Sequence, residues 1–327
     1  MKFSLQRKGF TLVEVLVACA VMALLLMMLL TVTTRVSDTW RSTTTKMQAF
    51  EGARAAFDTI TTTLAQATLN TYWDYNDPNN PTKYERRSEL HFLSSPSSTV
   101  GGSSGLTADK NPGHAVFFQA PTGIVAQENQ YGNLPNLLNV WGFFVEFGSD
   151  QSDVPAFLTS FVQPKYRYRL KQWQVPSENF GVYATTSGNA WINLTGSGAI
   201  RPQTLAENVI LLLAVPRLPT EAGKPGQILA NANFVYDSRV GTSTDFQKNQ
   251  LPPAMEIIMV AIDEASAQRL ADEKGTAAPL NIPAFSTAGS VDKDIADLLD
   301  DLDKKQVRYI ILRSIVTMRA GRWSHES

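Results

Sequence analysis

From Phe10 to Val32 the chain is apolar almost without interruption, and Glu14 is the one charged side chain among those 23 positions. As a helix this stretch covers roughly 35 Å, enough to cross the hydrocarbon core of a bilayer. The pattern then becomes amphipathic. Val36, Trp40, Met47, Phe50, Phe57, Ile60 and Leu64 recur at steps of three, four and seven, while Arg35, Asp38, Arg41, Lys46, Glu51, Arg54 and Asp58 take the other faces. No proline occurs between Phe10 and Asp77, and Gly52 is the only glycine there. The pattern predicts one helix over 10–69, roughly 90 Å long, lipid-facing in its first half and laying an apolar stripe on a head in its second. Threonines at Thr43–Thr45 and Thr61–Thr63 have weak helix propensity and mark where it would fray first.

Beyond residue 70 the period shortens to two. Residues 70–86 read as an irregular loop around Asp77-Pro78-Asn79-Asn80-Pro81, and Arg87–Leu93 as a strand. Residues 94–113 are rich in Ser and Gly and read as a mobile linker. The run Gly101-Gly102-Ser103-Ser104-Gly105 lacks the lysine of a phosphate-binding loop. Strands are predicted at Ala115–Gln119, Val140–Phe147, Tyr166–Val175, Asn208–Val215, Ala232–Tyr236 (weakly), Met255–Ile262 and Gln306–Thr317. In the second, Trp141, Phe143, Val145 and Phe147 share a face. In the third, Arg167, Arg169 and Lys171 alternate with Tyr166, Tyr168 and Leu170, so one face is basic and is expected to be solvated. A phase shift toward Trp173 hints at a bulge. Between the last two strands lies a helical insert, 264–305. It contains a helix over Glu264–Glu273 and a second one capped by Ser290 and reaching Asp303. The acid cluster Asp300-Asp301-Asp303 lacks the spacing of a calcium loop and reads as a wet helix face.

Composition narrows the chemistry. The 327 residues carry net charge −1, which gives no global field for nucleic acid. Cys19 is the only cysteine, so no intrachain disulfide forms. His91, His114 and His325 are far apart and show no metal-ligand spacing, and no Gly-x-Ser-x-Gly, dinucleotide or Walker pattern occurs. Neither a catalytic residue nor a cofactor or metal is expected.

Three readings fit the N-terminus. A cleaved signal peptide would use Ala18-Cys19-Ala20, but the greasy run continues through Leu30. A lipoprotein signal would use Leu16-Val17-Ala18-Cys19, but Glu14 would break its short apolar region. The third reading rests on Arg7-Lys8-Gly9-Phe10-Thr11-Leu12-Val13-Glu14, which resembles the leader of type IV pilins and type II secretion pseudopilins. The resemblance implies cleavage between Gly9 and Phe10 by prepilin peptidase, N-methylation of Phe10, and a role for Glu14 in filament assembly by pairing with a neighbour's α-amine. A carboxylate in a membrane helix costs about 2.5–3.5 kcal/mol on insertion scales, which points to function. No Lys or Arg lies in the 20 residues after Glu14, whereas cleavage would create an amine four residues before it.

The segments Glu207-Asn208-Val209, Leu251-Pro252 and Glu256-Ile257 resemble the layout of J-type minor pseudopilins. With the Ile-Asp-Glu-Ala-Ser helix start and the Arg-Trp-Ser ending, they look more like the pilin-like cassette protein C family of verrucomicrobial genomes. The K-type tip pseudopilins typically lack the acid found at Glu14. The fold class expected is therefore α+β and pilin-like, a long N-terminal helix packed on an antiparallel sheet with large loops. The expected organisation is a leader over 1–9, a transmembrane half-helix over 10–34, an amphipathic half over 35–69 and a periplasmic head over 70–327. Lys2, Arg7 and Lys8 place the N-terminus in the cytoplasm by the positive-inside bias. Expected partners are prepilin peptidase, other pseudopilins through the helix, the inner-membrane assembly platform and the lipid bilayer, with no nucleic acid. The alternative is a pilus-presented adhesin for polysaccharide or DNA, which exposed aromatics such as Tyr72, Trp73, Tyr75 or Trp191 would support.

Overall fold

The computed structural model describes residues 12–321 except 102–103, 133, 152–153, 156, 159, 162, 186–187, 197, 220–225, 231–232 and 241–246, and describes only the backbone at 38–49 and 129. The chain divides into two compact units, Met1–Gln48 and Ala49–Ser327. Helix α1, Leu12–Leu64, begins in the first and ends in the second. Its Leu12–Ser37 stretch has mean hydropathy 2.9 and is long and apolar enough to cross a membrane. Threonine hydroxyls there bond back along the helix: Thr31 donates to the Met27 carbonyl at 2.8 Å, Thr33 to Leu29 at 2.9 Å and Thr34 to Leu30 at 3.1 Å. Further on, Thr59 and Thr63 do the same, and the helix runs unbroken through Thr61–Thr63.

In the second unit α1 buries one stripe, Ala53, Ala56, Phe57, Ile60 and Leu64. The expected stripe starts too early, because Val36 is exposed, Phe50 is half-buried, and the side chains of Trp40 and Met47 lie outside the described residues. The helix also stops at Leu64, five residues short of expectation. Next, Thr68 N–H bonds the Gln119 carbonyl at 2.8 Å, and Arg319 N–H bonds the Ala65 carbonyl at 3.2 Å. Those bonds tie the helix exit to one strand described below and to the turn that follows the last strand.

The head is antiparallel throughout. A hairpin joins β1, Tyr72–Tyr75, to β2, Tyr84–Arg87, where a loop was expected. The expected strand over Arg87–Leu93 is displaced to β3, Leu93–Pro96, because Leu90, His91 and Phe92 are buried in an irregular crossing. The Ser/Gly-rich segment is no free linker either: Ser94, Ser95 and Ser97 are buried, with the Ser94 hydroxyl on the Ala214 carbonyl at 2.7 Å. Next come β4, His114–Pro121, a short helix α2, Glu128–Tyr131, β5, Leu138–Ser149, and β6, Tyr166–Val175. Then follow β7, Gln203–Glu207, β8, Val209–Arg217, and β9, Tyr236–Asp237. Left-handed φ at Phe234 (58°) keeps β9 to two residues, shorter than expected. The chain closes with β10, Ala254–Ile262, α3, Glu264–Lys274, α4, Val291–Lys304, and β11, Tyr309–Thr317. The strands form a six-stranded sheet, β7-β6-β5-β4-β3-β9, and a three-stranded sheet, β11-β10-β8. This succession of an apolar helix, antiparallel sheets and further helices is the expected α+β pilin-like layout.

Asn208 joins the two sheets. Its φ is 61°, a conformation Asn tolerates, and it turns the chain from β7 into β8. Every residue of β8 and β10 is buried, and β8 passes close to β3, β4, β5 and β6, so the smaller sheet lies across the larger. The aromatic face of β5 is buried as expected. On its other face, Gly142 lets the Phe117 and Trp173 rings pack onto the backbone, since a Cβ there would come within 2.6 Å of Phe117. The β6 and β7 ladder slips register between Leu170 and Lys171, near the expected bulge.

The basic face of β6 is not solvated. Arg167, Arg169 and Lys171 are all buried. Arg167 pairs with Glu264 of α3 at 2.7 Å and bonds Gln268 at 2.6 Å, and Lys171 faces Glu146 at 3.7 Å. Acids from other elements pay the desolvation cost that solvent was expected to remove. A second buried ionic cluster spans three strands: Glu256 of β10 pairs with Arg217 of β8 and Arg313 of β11. In α3, Asp263 accepts from the Ser266 N–H at 2.9 Å, and Gly275 ends the helix with φ 60°. In α4, Ser290 holds the cap position but bonds Asp294 and the Thr287 carbonyl instead of a helix N–H. Asp300 and Asp301 pair with Lys304 and Lys305 one turn on, and no metal-holding group of acids, histidines or cysteine occurs among the described residues.

His91 and His114 are fully buried. The Trp191 indole donates to His91 Nδ1 at 2.8 Å, so the ring carries its proton on Nε2 and donates it to Asp237 at 2.7 Å. Burial lowers the pKa of His91 against the opposing pull of Asp237. Burial likewise lowers that of His114, whose ring bridges the Ala214 and Phe285 carbonyls. Two predictions follow from these buried charges. His91 folds neutral, because its Nδ1 accepts from Trp191, so below its unfolded value of about 6.5 the unfolded chain binds more protons and stability declines. The melting temperature of the chain in detergent should therefore fall between about pH 7.5 and pH 5.5, and an unchanged midpoint contradicts this. Glu256→Ala strands the Arg217 guanidinium and should cost on the order of 3 kcal/mol, read as a lowered melting temperature.

Candidate functional site

Among the three residues singled out at the N-terminus, Gly9 and Phe10 lie outside the described residues. Glu14 lies near the start of the described part of α1 and is exposed. It shares a helix face with Val17, Ala18, Val21, Met22 and Leu25, an apolar strip on which Glu14 is the polar point. Such a strip suits packing against another helix or lipid, and the acid gives it register. Cys19, the residue on which a lipoprotein reading depends, is an exposed thiol on the same helix.

In the head, the aromatics considered for surface binding part company. Tyr72, Trp73 and Tyr75 are exposed on the β1–β2 hairpin, and Tyr75 stacks on Tyr84 at 4.8 Å. Trp191 is buried against Phe117, Trp173 and His91, so its role is in the core.

Beside the hairpin lies a cleft of about 340 Å³. Its walls come from Tyr72 of β1, Glu85–Arg87 of β2, Ser88 and Glu89, and, from further along the chain, Tyr183, Thr185, Arg239, Lys248 and Asn249. The Glu89 carboxylate accepts from the Tyr72 hydroxyl at 2.7 Å and from the Asn70 amide, and the Tyr72 bond is the main reason its pKa lies below the ordinary carboxylate value. Glu85 pairs with Lys83 at 2.9 Å. Arg239 donates to the Glu89 carbonyl at 3.0 Å and the Val182 carbonyl at 3.1 Å. The Lys248 ammonium donates to the Arg239 carbonyl at 2.7 Å. Sequence reasoning missed this cleft. The adjacent pair Arg86-Arg87 was a local signal, but Tyr183, Thr185, Arg239, Lys248 and Asn249 lie roughly 95 to 160 residues further along the chain.

Residues 5–30 match the family model for the prokaryotic N-terminal methylation motif. No curated protein and no solved structure matches the chain. The match covers the basic residues, Gly9, Phe10 and Glu14, and continues into the apolar part of α1. Proteins with this motif are structural filament subunits, and a single apolar helix behind it fits single-pass membrane anchoring. The N-terminal segment is therefore a type IV pilin-like prepilin signal, of the kind that prepilin peptidase processes and that leads to assembly with other pilins.

Proposed function

We propose that this chain is a minor pseudopilin, a structural subunit of a type II secretion or type IV pilus-like filament. The carrying observation is the methylation motif at 5–30 set directly on an apolar helix long enough to span a membrane. In this reading residues 1–9 are a leader, cut between Gly9 and Phe10 on the cytoplasmic side, and Phe10 is N-methylated. Residues 10–34 hold the subunit in the inner membrane, the helix continues to Leu64, and the residues beyond it form a periplasmic head. The size of that head favours a low-copy minor subunit over a tightly repeated major one.

Glu14 is the assembly residue in this reading. A mature α-amine at Phe10 lies four residues from it, one helical turn away, and a neighbouring subunit presents the same amine at the same depth. An ion pair between neighbours at that depth is screened by neither water nor salt, so it fixes the axial register of one helix against the next. The assembly platform of the inner membrane and other pilin-like subunits are the partners this requires.

Two outcomes test the reading. The mass of the mature N-terminus should correspond to methylated Phe10, and a lipidated Cys19 would overturn it. Glu14→Ala should leave cleavage intact but lower filament incorporation by about tenfold or more, equivalent to ~1.4 kcal/mol. Normal incorporation of that variant would falsify the pairing.

A further inference from the structure

We propose that the head cleft beside the β1–β2 hairpin binds an anionic saccharide, a short uronate chain held by Arg239, Lys248 and Arg87 between the rings of Tyr72 and Tyr183. The inference goes beyond filament assembly and does not depend on it.

The first support is charge. Four cationic side chains line the cleft against two carboxylates, and both carboxylates are engaged within the protein: Glu85 by Lys83, and Glu89 by the Tyr72 hydroxyl and the Asn70 amide. The cations are tied differently. Arg239 and Lys248 give hydrogen bonds to carbonyl oxygens, and Arg87 donates to the carbonyls of Tyr75 at 2.9 Å and Asn76 at 3.1 Å. Neutral acceptors orient a cation without cancelling its charge. The nearest carboxylate to Arg87 Nε is Asp74 at 3.8 Å, and that Nε makes no hydrogen bond among the described residues although it is buried. Such a group is costly to leave unmet and is met by an anion's oxygen. On β6, by comparison, the buried Arg167 meets the Glu264 carboxylate at 2.7 Å.

The second support is shape and surface chemistry. A volume of about 340 Å³ lies within the range of small-ligand sites, roughly 300–1,000 Å³. Tyr72 and Tyr183, 42% and 52% exposed, offer apolar ring faces with polar tips. The remaining wall is hydroxyl and amide, from Ser88, Thr185 and Asn249. Ring faces for the C–H side of a sugar, polar groups for its hydroxyls and cations for its carboxylate are the three elements an acidic saccharide needs. Nucleic acid fits less well, because it needs an extended basic track, and the chain has net charge −1 while this cleft is small.

The test is calorimetric titration of the full chain in detergent micelles with trigalacturonate, neutral galactotriose and an oligothymidylate. Trigalacturonate should bind, and its affinity should fall as NaCl rises from about 0.05 M to 0.5 M. Galactotriose should give no heat. Lys248→Gln and Tyr183→Ala should each weaken binding about tenfold while leaving the circular dichroism and melting temperature at the parent values. Tyr183 is exposed, so its variant carries the test alone if Lys248→Gln fails to fold. Absence of binding, equal binding of the neutral sugar, tighter binding of oligothymidylate, or wild-type affinity in the folded variants would each overturn the assignment. None of these results bears on the N-terminal mass or on filament incorporation, so the two proposals fail separately.

Discussion

The head depends on a strand that has no face to give to water. All nine residues of β8 are buried, so something must cover both of its sides and its backbone must be paired. The chain meets this demand by turning at Asn208. The Asn208 N–H bonds the Tyr168 carbonyl of β6 at 2.8 Å, and its carbonyl accepts from Ile262 of β10 at 2.9 Å. One residue thus holds hydrogen bonds to both sheets. Its side chain donates to Glu264 at 2.7 Å, and Glu264 in turn holds Arg167. The insert helix α3 is fixed to the corner by the same contacts that neutralise the cation beneath it.

Ionic groups in this head fall into two kinds. On β6 the buried cations Arg167 and Lys171 meet acids from other elements, and the buried Glu256 is held by Arg217 and Arg313 of the strands on either side. Replacing such pairs with apolar residues often costs little, so their value lies in specifying which elements meet. In the cleft beside the hairpin, Arg239 and Lys248 give their hydrogen bonds to carbonyl oxygens instead. Net charge, close to zero over the chain, conceals this division.

Regular hydrophobic patterns were legible in the sequence, and irregular or polar ones were not. The long helix, the aromatic face of β5, the apolar β8 and β10 and both insert helices follow from spacing alone. The β1–β2 hairpin did not, because its strands, Tyr-Trp-Asp-Tyr and Tyr-Glu-Arg-Arg, are exposed polar and aromatic and carry no buried alternation. The basic stripe of β6 was misread because a charge pattern reports solvent only when no acid arrives from elsewhere, and Glu264 is nearly a hundred residues away. Ser94–Ser97 looked like linker, yet burial of small hydroxyls against backbone carbonyls leaves no mark in periodicity. The N-terminal motif is local and was readable in full. The cleft is built by bringing the run Glu85–Glu89 against Tyr183, Thr185, Arg239, Lys248 and Asn249 from far along the chain, and no local pattern announces that meeting.

The threonines that close the apolar segment have a further consequence. Thr31, Thr33 and Thr34 spend their hydroxyl protons on carbonyls of their own helix, so they ask nothing of their surroundings. A helix built in this way presents lipid and protein neighbours with the same saturated surface. Moving it from one to the other exchanges van der Waals partners and breaks none of these hydrogen bonds. Self-sufficiency of this kind suits a segment that is as much at home against lipid as against another helix.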